Sequence, residues 1–534
     1  MIIDGYQGIL FDDLRIQLDQ ILHSTGIRIT WHDVRKAMKS SGEIDKLTEP
    51  FVGGNDPLFG TRTTLTLKDF YDDSLLMKLR PDPSAGINII YGPGASLAGW
   101  DGCLVYVDLP KNEFQYRSHA GTVTNLGADK PFAPKEMYKR SYFVDWVVLN
   151  RHKENIAGRV DIIADGQRPD DITWIERSDF RKALRAMSRS TFRVRPWFEP
   201  GAWGGSWCKD HIPGLSSDVS NYAWSFELIT PENGIILESD ELMLEVSFDW
   251  LMYLHAPDIL GKCYSRFGTE FPIRFDFLDT FDGGNLSIQV HPREEYIRKH
   301  FGENFTQQEA YYILDTKENA IVNLGFRDDI DPEGFRAELE KSAKEKTPVN
   351  IPDFVMHHPA RKHDLFLIPD GTIHGSGSNN LVLEISTTPY IFTFKMYDWL
   401  RLDLDGNPRD LNIKRAMVNL DFRRKGDKVP NEFISKPVLL EEGQDWKKYH
   451  LPTHPLHYYD VWRYHFKTSV MIETGNDCHV LSLVEGGSIA VETGNGPLMK
   501  FRYTETFVVP SATGSYKVEN LSDKEVLLVI AFIK

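Results

Sequence analysis

The chain has 534 residues, of which 41% are hydrophobic and 26% are charged, a length and composition typical of about three globular domains. A formal net charge of -16 disfavours nucleic acid and anionic membranes as partners. No stretch approaches about eighteen uninterrupted apolar residues, residues 1–5 are not a signal peptide, and the four cysteines are too scattered for a disulfide framework. We expect a cytoplasmic protein with a small-molecule partner and leave a homo-oligomer open.

The first 190 residues predict an α/β domain. An apolar stripe from Leu14 to Leu22 has helical spacing and ends before Gly26, while residues 87–91 and 103–109 have the pattern of buried strands. Residues 179–187 have the composition of a helix. This alternation of helices and strands favours three layers.

A glycine-rich turn at residues 91–96 follows a predicted strand, but the chain has no Gly-x-x-x-x-Gly-Lys-Ser/Thr sequence to bind phosphates and magnesium. The order of elements, including residues 107–110 and 139–146, resembles the later part of nucleoside-kinase-like folds. The resemblance implies a kinase-like domain without its nucleotide-binding loop. A structural or dimerising domain is the favoured alternative to an active kinase.

From Phe192 onward, strand patterns dominate, and they are interrupted by a polar helical stretch near residues 332–346. Short strands with Gly and Asn turns continue from about Trp446. We place domain boundaries at residues 191–430 and 431–534. His357, His358 and His363 precede a predicted strand in a polar loop, so we do not expect them to form a metal site.

Four residues on alternating apolar segments predict a metal site. Gln289 and His291 share one face of a strand, and the segments around Glu309 and His374 can each bring one more ligand. Mixed nitrogen and oxygen donors with an open coordination position favour catalytic zinc, one ion per chain.

Several motifs occur in the order and approximate spacing of type I mannose-6-phosphate isomerases, which the region from about 192 to 534 resembles closely. The motifs are Trp203-Gly204-Gly205, residues 266–273, Gln289-Val290-His291-Pro292, residues 308–313, residues 368–377 and residues 397–409. The resemblance implies a multidomain fold, in which the α/β domain precedes two mainly-β double-stranded β-helix (cupin) domains. The first cupin domain would bind metal and carry the helical insertion, and the second would be metal-free.

The same resemblance implies interconversion of mannose 6-phosphate and fructose 6-phosphate through an enediol. Gln289, His291, Glu309 and His374 match the family's metal positions. Other matches are Glu384 for acid/base work and Ser287 near the substrate phosphate. Trp203, beside glycines that allow close backbone approach, is a further candidate for substrate binding. The alternative for Glu384 is a strand glutamate that pairs with a neighbouring cation.

Three departures fall in the substrate pocket. Lys395 replaces an arginine that stabilises the enediolate, and Gln307 and Asp276 stand where lysines are usual. Arg274, Arg293 or Lys395 could supply substitute charge. Two alternatives therefore stand beside the family reaction: an isomerase of another or unphosphorylated sugar, and a non-catalytic sugar-binding regulatory protein.

Overall fold

The computed structural model describes all 534 residues, which divide into two compact units. The first unit contains residues 1–187 and 230–256, and the second contains residues 188–229 and 257–534. The expectation of a multidomain, strand-rich chain is confirmed. None of the helices combines the length and the apolar character needed to cross a membrane.

The first unit is built on a six-stranded sheet in which the first five strands are parallel and the last is antiparallel. Its strands, in spatial order, are Ile29–Asp33, Ile87–Tyr91, Ile2–Gly5, Leu104–Asp108, Ile162–Asp165 and Trp174–Glu176. Its main helices are Phe11–His23, Ser41–Thr48, Asp73–Leu76, Lys111–His119, Pro134–Arg140, Trp146–Ala157 and Arg177–Met187. The two predicted strands and both predicted helices are therefore confirmed, and the three-layer arrangement stays a prediction.

The segment 230–256 belongs to the first unit, although the chain on either side of it belongs to the second. It forms the hairpin Gly234–Ser239 and Leu242–Ser247 and begins the helix Asp249–Leu260. Ser247 donates its N–H and its hydroxyl to Asp108 Oδ2, at 2.6 and 2.9 Å. The backbone N–H of Glu245 donates to Asp165 Oδ2 at 2.9 Å. The segment thus covers the carboxyl ends of two parallel strands, an edge where α/β sheets commonly bind ligands.

A buried ion pair supports the contact between residues 230–256 and the strand that ends at Asp108. Loss of this ion pair should destabilise the first unit. Lys153 is 0% exposed, and its Nζ lies 2.7 Å from Asp108 Oδ1 and also donates to Ser247. Replacing Lys153 with methionine leaves the Asp108 charge buried without its cation, so we expect a loss of about 3–5 kcal/mol in the free energy of unfolding. Hydrogen exchange of peptides from the first unit would measure it. Lys182→Met removes an exposed pair with Asp179 and should change protection little.

The second unit contains two packed pairs of antiparallel sheets. The first pair holds a six-stranded sheet (Leu365–Ile368, Glu309–Thr316, Asn380–Thr387, Ile273–Asp279, Trp224–Leu228, Trp197–Glu199) and a five-stranded sheet (Val355–Pro359, Ile321–Phe326, His374–Ser376, Ile288–Val290, Phe394–Tyr397). Apolar residues of both sheets, among them Leu278, Ile313, Val322 and Leu324, form one buried cluster. Helices of this unit include Trp207–His211, Tyr264–Phe267, Glu294–Phe301, Pro332–Glu345, Ile413–Asn419 and Lys428–Glu432.

The second pair lies toward the end of the sequence. Its six-stranded sheet is Val438–Glu442, Trp446–Leu451, Tyr459–Phe466, Val526–Ile533, His479–Glu485 and Thr506–Val509, and its four-stranded sheet is Ser469–Glu473, Ser515–Asn520, Ser488–Thr493 and Met499–Arg502. Alternate apolar side chains of both sheets, such as Leu481, Leu483, Ile489 and Val491, meet in a second core.

One buried histidine of this last sheet pair should make stability depend on acid pH. Burial lowers the pKa of His479 to about 3, and its Nδ1 lies 2.9 Å from the Tyr516 hydroxyl. Below about pH 6.5, His479 becomes protonated in the unfolded chain, whereas in the folded protein it stays neutral down to about pH 3. The free energy of unfolding therefore decreases as the pH falls through this window.

In the variant His479→Asn, we expect the free energy of unfolding to decrease less steeply as the pH falls. The slopes of the two proteins should differ by up to about 1.4 kcal/mol per pH unit. Urea unfolding of both proteins between pH 4 and 7, with a signal from the last sheet pair as the readout, would measure how steeply each free energy of unfolding depends on pH. Equal slopes in the two proteins would contradict the assignment.

Candidate metal centre

The backbone register of the five-stranded sheet aligns three of the predicted site residues. Gln289 pairs with His374 on one neighbouring strand and with Lys395 on the other. Residues directly opposite each other in antiparallel strands share a face, so these three side chains project to the same side. His291 follows Gln289 at the spacing of alternate residues and joins that face.

The fourth predicted ligand comes from the other sheet. Glu309 begins the strand Glu309–Thr316 and is 1% exposed. His374 Nε2 lies 3.2 Å from Glu309 Oε2, and His291 Nε2 is in hydrogen-bond contact with the same oxygen. One ligand atom from each of these three residues lies within 4.8 Å of the others. Two separate sheets therefore bring these three predicted ligands together.

The hydrogen bonds of the two imidazoles fix where their protons lie. His291 Nδ1 is 3.1 Å from the carbonyl oxygen of Phe392, and His374 Nδ1 is 2.9 Å from that of Thr372. A carbonyl only accepts, so both Nδ1 atoms donate and carry a proton, and in the neutral form of each imidazole the lone pair of Nε2 faces the carboxylate of Glu309. Two Nε2 atoms and a carboxylate oxygen that converge in this way fit a cation, and backbone acceptors behind metal-binding histidines are a common arrangement.

The electrostatics of the cluster agree with that fit. Burial alone would raise the pKa of Glu309, but His291 and His374 outweigh it and hold the pKa well below the usual carboxyl range. Burial also lowers the pKa of His291. Glu309 therefore favours the ionised form, in which a carboxylate binds a metal.

Gln289 links the cluster to Ser287. Ser287 donates its hydroxyl to Gln289 Oε1 at 2.7 Å, and Gln289 Nε2 lies 3.2 Å from His374 Nε2. Rotating the amide by 180° would place its oxygen among the three ligand atoms and let its nitrogen donate to Ser287. Ser287 is thus positioned to orient a fourth ligand, a contact that the sequence did not suggest.

A buried cluster of charged residues lies on the inner face of the six-stranded sheet. Arg274 Nε is 3.0 Å from Asp276 Oδ2, and Arg274 Nη2 donates to Glu384 Oε1. Gln307 Nε2 also donates to Glu384 Oε1, at 3.3 Å. Two carboxylates share one guanidinium here. Burial is the main reason that the pKa of Asp276 rises to about 7, although Arg274 opposes the rise.

This cluster shows where the altered pocket residues lie. Asp276, Gln307 and Glu384 all contact Arg274 or one another, so the contact observed for Glu384 is the ion pair considered as its alternative. An acid/base role for Glu384 stays a prediction. Arg274 is the cation of this pocket, but its charge is already matched by two carboxylates.

The remaining candidates lie in three different surroundings. Lys395 shares the metal-site face through its pairing with Gln289. Trp203 is 4% exposed and packs in the apolar core with its ring 4.7 Å from that of Trp224, so its observed contacts are packing contacts. Arg293 donates to the carbonyl oxygens of Asn419 and Leu420. The predicted contacts of Lys395 and Trp203 with substrate stay predictions.

The region that contains this site is similar to mannose-6-phosphate isomerases. Mannose-6-phosphate isomerase ManA of Bacillus subtilis is 22% identical over 339 residues, which are 63% of this chain and 98% of that protein. The probable mannose-6-phosphate isomerase GmuF of the same species is 26% identical over 225 residues, 42% of this chain and 66% of that protein. A mannose-6-phosphate isomerase of Streptococcus mutans is 24% identical over 230 residues, 43% of this chain and 67% of that protein.

Solved structures agree at the level of the fold. The crystal structure of mannose 6-phosphate isomerase from Bacillus subtilis matches with a TM-score of 0.52 at 19% identity, over 64% of this chain and all of that one. The resemblance to type I mannose-6-phosphate isomerases is therefore confirmed. Residues 1–189 match a different family, described as "Domain of unknown function (DUF8485)", and the likeness of these residues to kinases stays a prediction.

Proposed function

We propose that the protein is a zinc-dependent aldose–ketose isomerase that interconverts mannose 6-phosphate and fructose 6-phosphate. The observation that carries this proposal is the convergence of the Nε2 atoms of His291 and His374 on the buried carboxylate of Glu309. The named activity of the relatives in Bacillus and Streptococcus supports the choice of reaction. One zinc ion per chain would be held by Gln289, His291, Glu309 and His374, and when bound it supplies a Lewis acid for the substrate oxygens.

The side chains around that site have separate tasks in this reaction. A proton must leave C2 and return at C1, so a base has to lie beside the sugar carbons, and Glu384 is the carboxylate we propose for this work. Its pairing with Arg274 fixes its position. Lys395, on the same face as Gln289, is proposed to stabilise the negative charge that develops on the substrate oxygen.

A second candidate function is isomerisation of an unphosphorylated sugar. Its support is the composition of the inner cluster, in which the carboxyl groups of Asp276 and Glu384 share the single guanidinium of Arg274. A phosphate dianion close to this cluster would be repelled, since neither Gln307 nor Asp276 replaces the lost cations. A neutral hydroxyl would instead find hydrogen-bond acceptors in Asp276 Oδ1 and Gln307 Oε1, which have no partner in the protein.

A substrate panel decides between the two candidates. We expect zinc-loaded protein to convert mannose 6-phosphate to fructose 6-phosphate, to lose this activity on treatment with a chelator, and to regain it with zinc. Mannose at the same concentration should turn over at least about tenfold more slowly, because charge-assisted contacts to phosphate contribute to binding.

Each other outcome assigns the site differently. Faster turnover of mannose than of its phosphate would establish the second candidate, and an Asp276→Lys variant should then shift the preference toward the phosphosugar. No turnover of either sugar by protein with full zinc occupancy would exclude both reactions and leave a binding role.

A further inference from the structure

A cavity of about 780 Å³ lies in the second unit and is lined by many charged side chains. Its cationic residues are Arg266, Arg293, Arg298, Arg423, Arg424 and Lys534. Its carboxylates are Glu294, Glu295, Asp370 and Asp421. Six cations against four carboxylates make this cavity locally positive in a chain whose net charge is -16. A small anion is therefore the kind of ligand that the cavity attracts.

Three of these cations are not neutralised by an acidic side chain. Arg266 lies over the ring of Tyr458, with 4.5 Å from its guanidinium carbon to the ring centre, and forms no ion pair. Arg293 donates Nε and Nη2 to two backbone carbonyl oxygens. Lys534 Nζ contacts the Thr453 hydroxyl at 3.1 Å and a carbonyl oxygen. In contrast, Arg298 and Arg423 each pair with a carboxylate of the cavity wall.

A buried histidine of the cavity wall lacks the partners that such a group normally has. His457 is 2% exposed, and neither of its ring nitrogens has a hydrogen-bond partner. Its ring stacks on that of Tyr459, 5.1 Å away, which fixes its orientation. Buried polar groups in folded proteins are nearly always satisfied, so the unpaired ring nitrogens of a residue that lines the cavity are the groups most in need of a hydrogen-bond partner from a ligand.

Three residues that line the cavity lie close in sequence to the proposed metal ligands. Arg293, Gln308 and Asp370 line it, and each is within four residues of one of the proposed metal ligands. Gln308 and Glu309 are neighbours at the start of one strand, so their side chains point to opposite faces. Asp370 accepts the N–H of Glu294, and its own N–H donates to Gln308, which ties the cavity walls together.

We propose that this cavity is a second ligand site, separate from the metal centre, that binds a small phosphorylated molecule. Arg266, Arg293 and Lys534 supply charge for the phosphate group, and His457 supplies a hydrogen-bond donor at the buried end. Arginine suits this task because its planar guanidinium can hold two phosphate oxygens. The cavity volume is in the range of small-molecule sites, and the rest of the molecule would occupy the remaining space.

Calorimetric titration of the zinc-loaded full chain tests the proposal, with glycerol 2-phosphate and inorganic phosphate as probes. We expect glycerol 2-phosphate to bind the wild-type protein, and the double variant Arg266→Gln/Arg293→Gln to bind it at least about tenfold more weakly. The control is Arg327→Gln/Arg336→Gln, which removes two exposed arginines that pair with acids outside the cavity. The control should bind like the wild type.

Two further variants locate the site. His457→Phe keeps an aromatic ring at this position but removes the ring nitrogens, and should weaken binding without changing the zinc content. Glu309→Gln disables the metal centre and should leave binding intact. Binding that survives the double variant, that disappears in Glu309→Gln, or that is absent from the wild type would overturn the proposal. Equal affinity for both probes would assign the site to free phosphate, whereas tighter binding of glycerol 2-phosphate would assign it to phosphomonoesters.

Discussion

Replacement of Glu309 by glutamine is expected to abolish zinc binding and, with it, isomerase activity. Glu309 is the one carboxylate among the three clustered ligand residues, and both imidazole lone pairs are directed at it. Loss of residues that only support a metal ligand typically costs 10–100-fold in affinity, so loss of this ligand should cost at least about a hundredfold. Metal analysis after dialysis against a zinc buffer, together with the isomerase assay, measures both effects.

The same variant separates a metal effect from a folding effect. The amide introduced by Glu309→Gln can donate an N–H to a histidine lone pair without adding a charge, so the substitution should not disturb the fold. The thermal midpoint of the zinc-free variant should therefore match or exceed that of the zinc-free wild type, and zinc should no longer raise it. Glu492→Gln, at an exposed strand position, is the matched control. Zinc bound to Glu309→Gln with wild-type affinity would contradict the assignment.

The second large effect is expected at Arg274. This guanidinium is 5% exposed and is the cation between Asp276 and Glu384. The variant Arg274→Met leaves both carboxylates buried without compensation, and we expect it to lower the free energy of unfolding by about 3–5 kcal/mol. Unfolding of the second unit by denaturant would measure the loss, with hydrogen exchange of the strand Ile273–Asp279 as the readout.

A neutral version of the cluster provides the control for that result. In Arg274→Met/Asp276→Asn/Glu384→Gln no charge of the cluster remains, so most of the lost stability should return. If the triple variant were as unstable as Arg274→Met, lost packing of the arginine stem would explain the effect instead of its charge. Activity should stay low in the triple variant even when stability returns, because Glu384 is the proposed base.

The grouping of the candidate metal ligands was largely predictable because it follows short-range rules. Alternation along a strand puts Gln289 and His291 on one face whatever the strand pairs with. The pairing of Gln289 with Lys395 and His374 depends on strand register, which no local pattern states. Glu309 lies on a different sheet, and it could be identified as a ligand only because the motifs occur in the order of a known family.

Other features were not predictable, and the reason is that distant partners decide them. Arg274 was one of three candidate substitute cations, and only its pairing with Glu384 across neighbouring strands shows that it points inward. Residues 356–359 were expected in a polar loop and instead lie in the strand Val355–Pro359, where His358 is buried and contacts the carbonyl of Leu324 at 3.1 Å. Nothing in the sequence around His457 predicts that its ring nitrogens are buried without hydrogen-bond partners.

The ion pair and hydrogen bonds that hold residues 230–256 also determine how late in protein synthesis the first unit can be completed. Domains usually fold as units while the chain emerges from the ribosome, the amino-terminal one first. Here Asp108 and Lys153 are made early, but Ser247, which completes their contacts, appears only after part of the second unit has been translated. The carboxyl ends of the strands that carry Asp108 and Asp165 can therefore be covered by this segment only after the chain has been translated past residue 247.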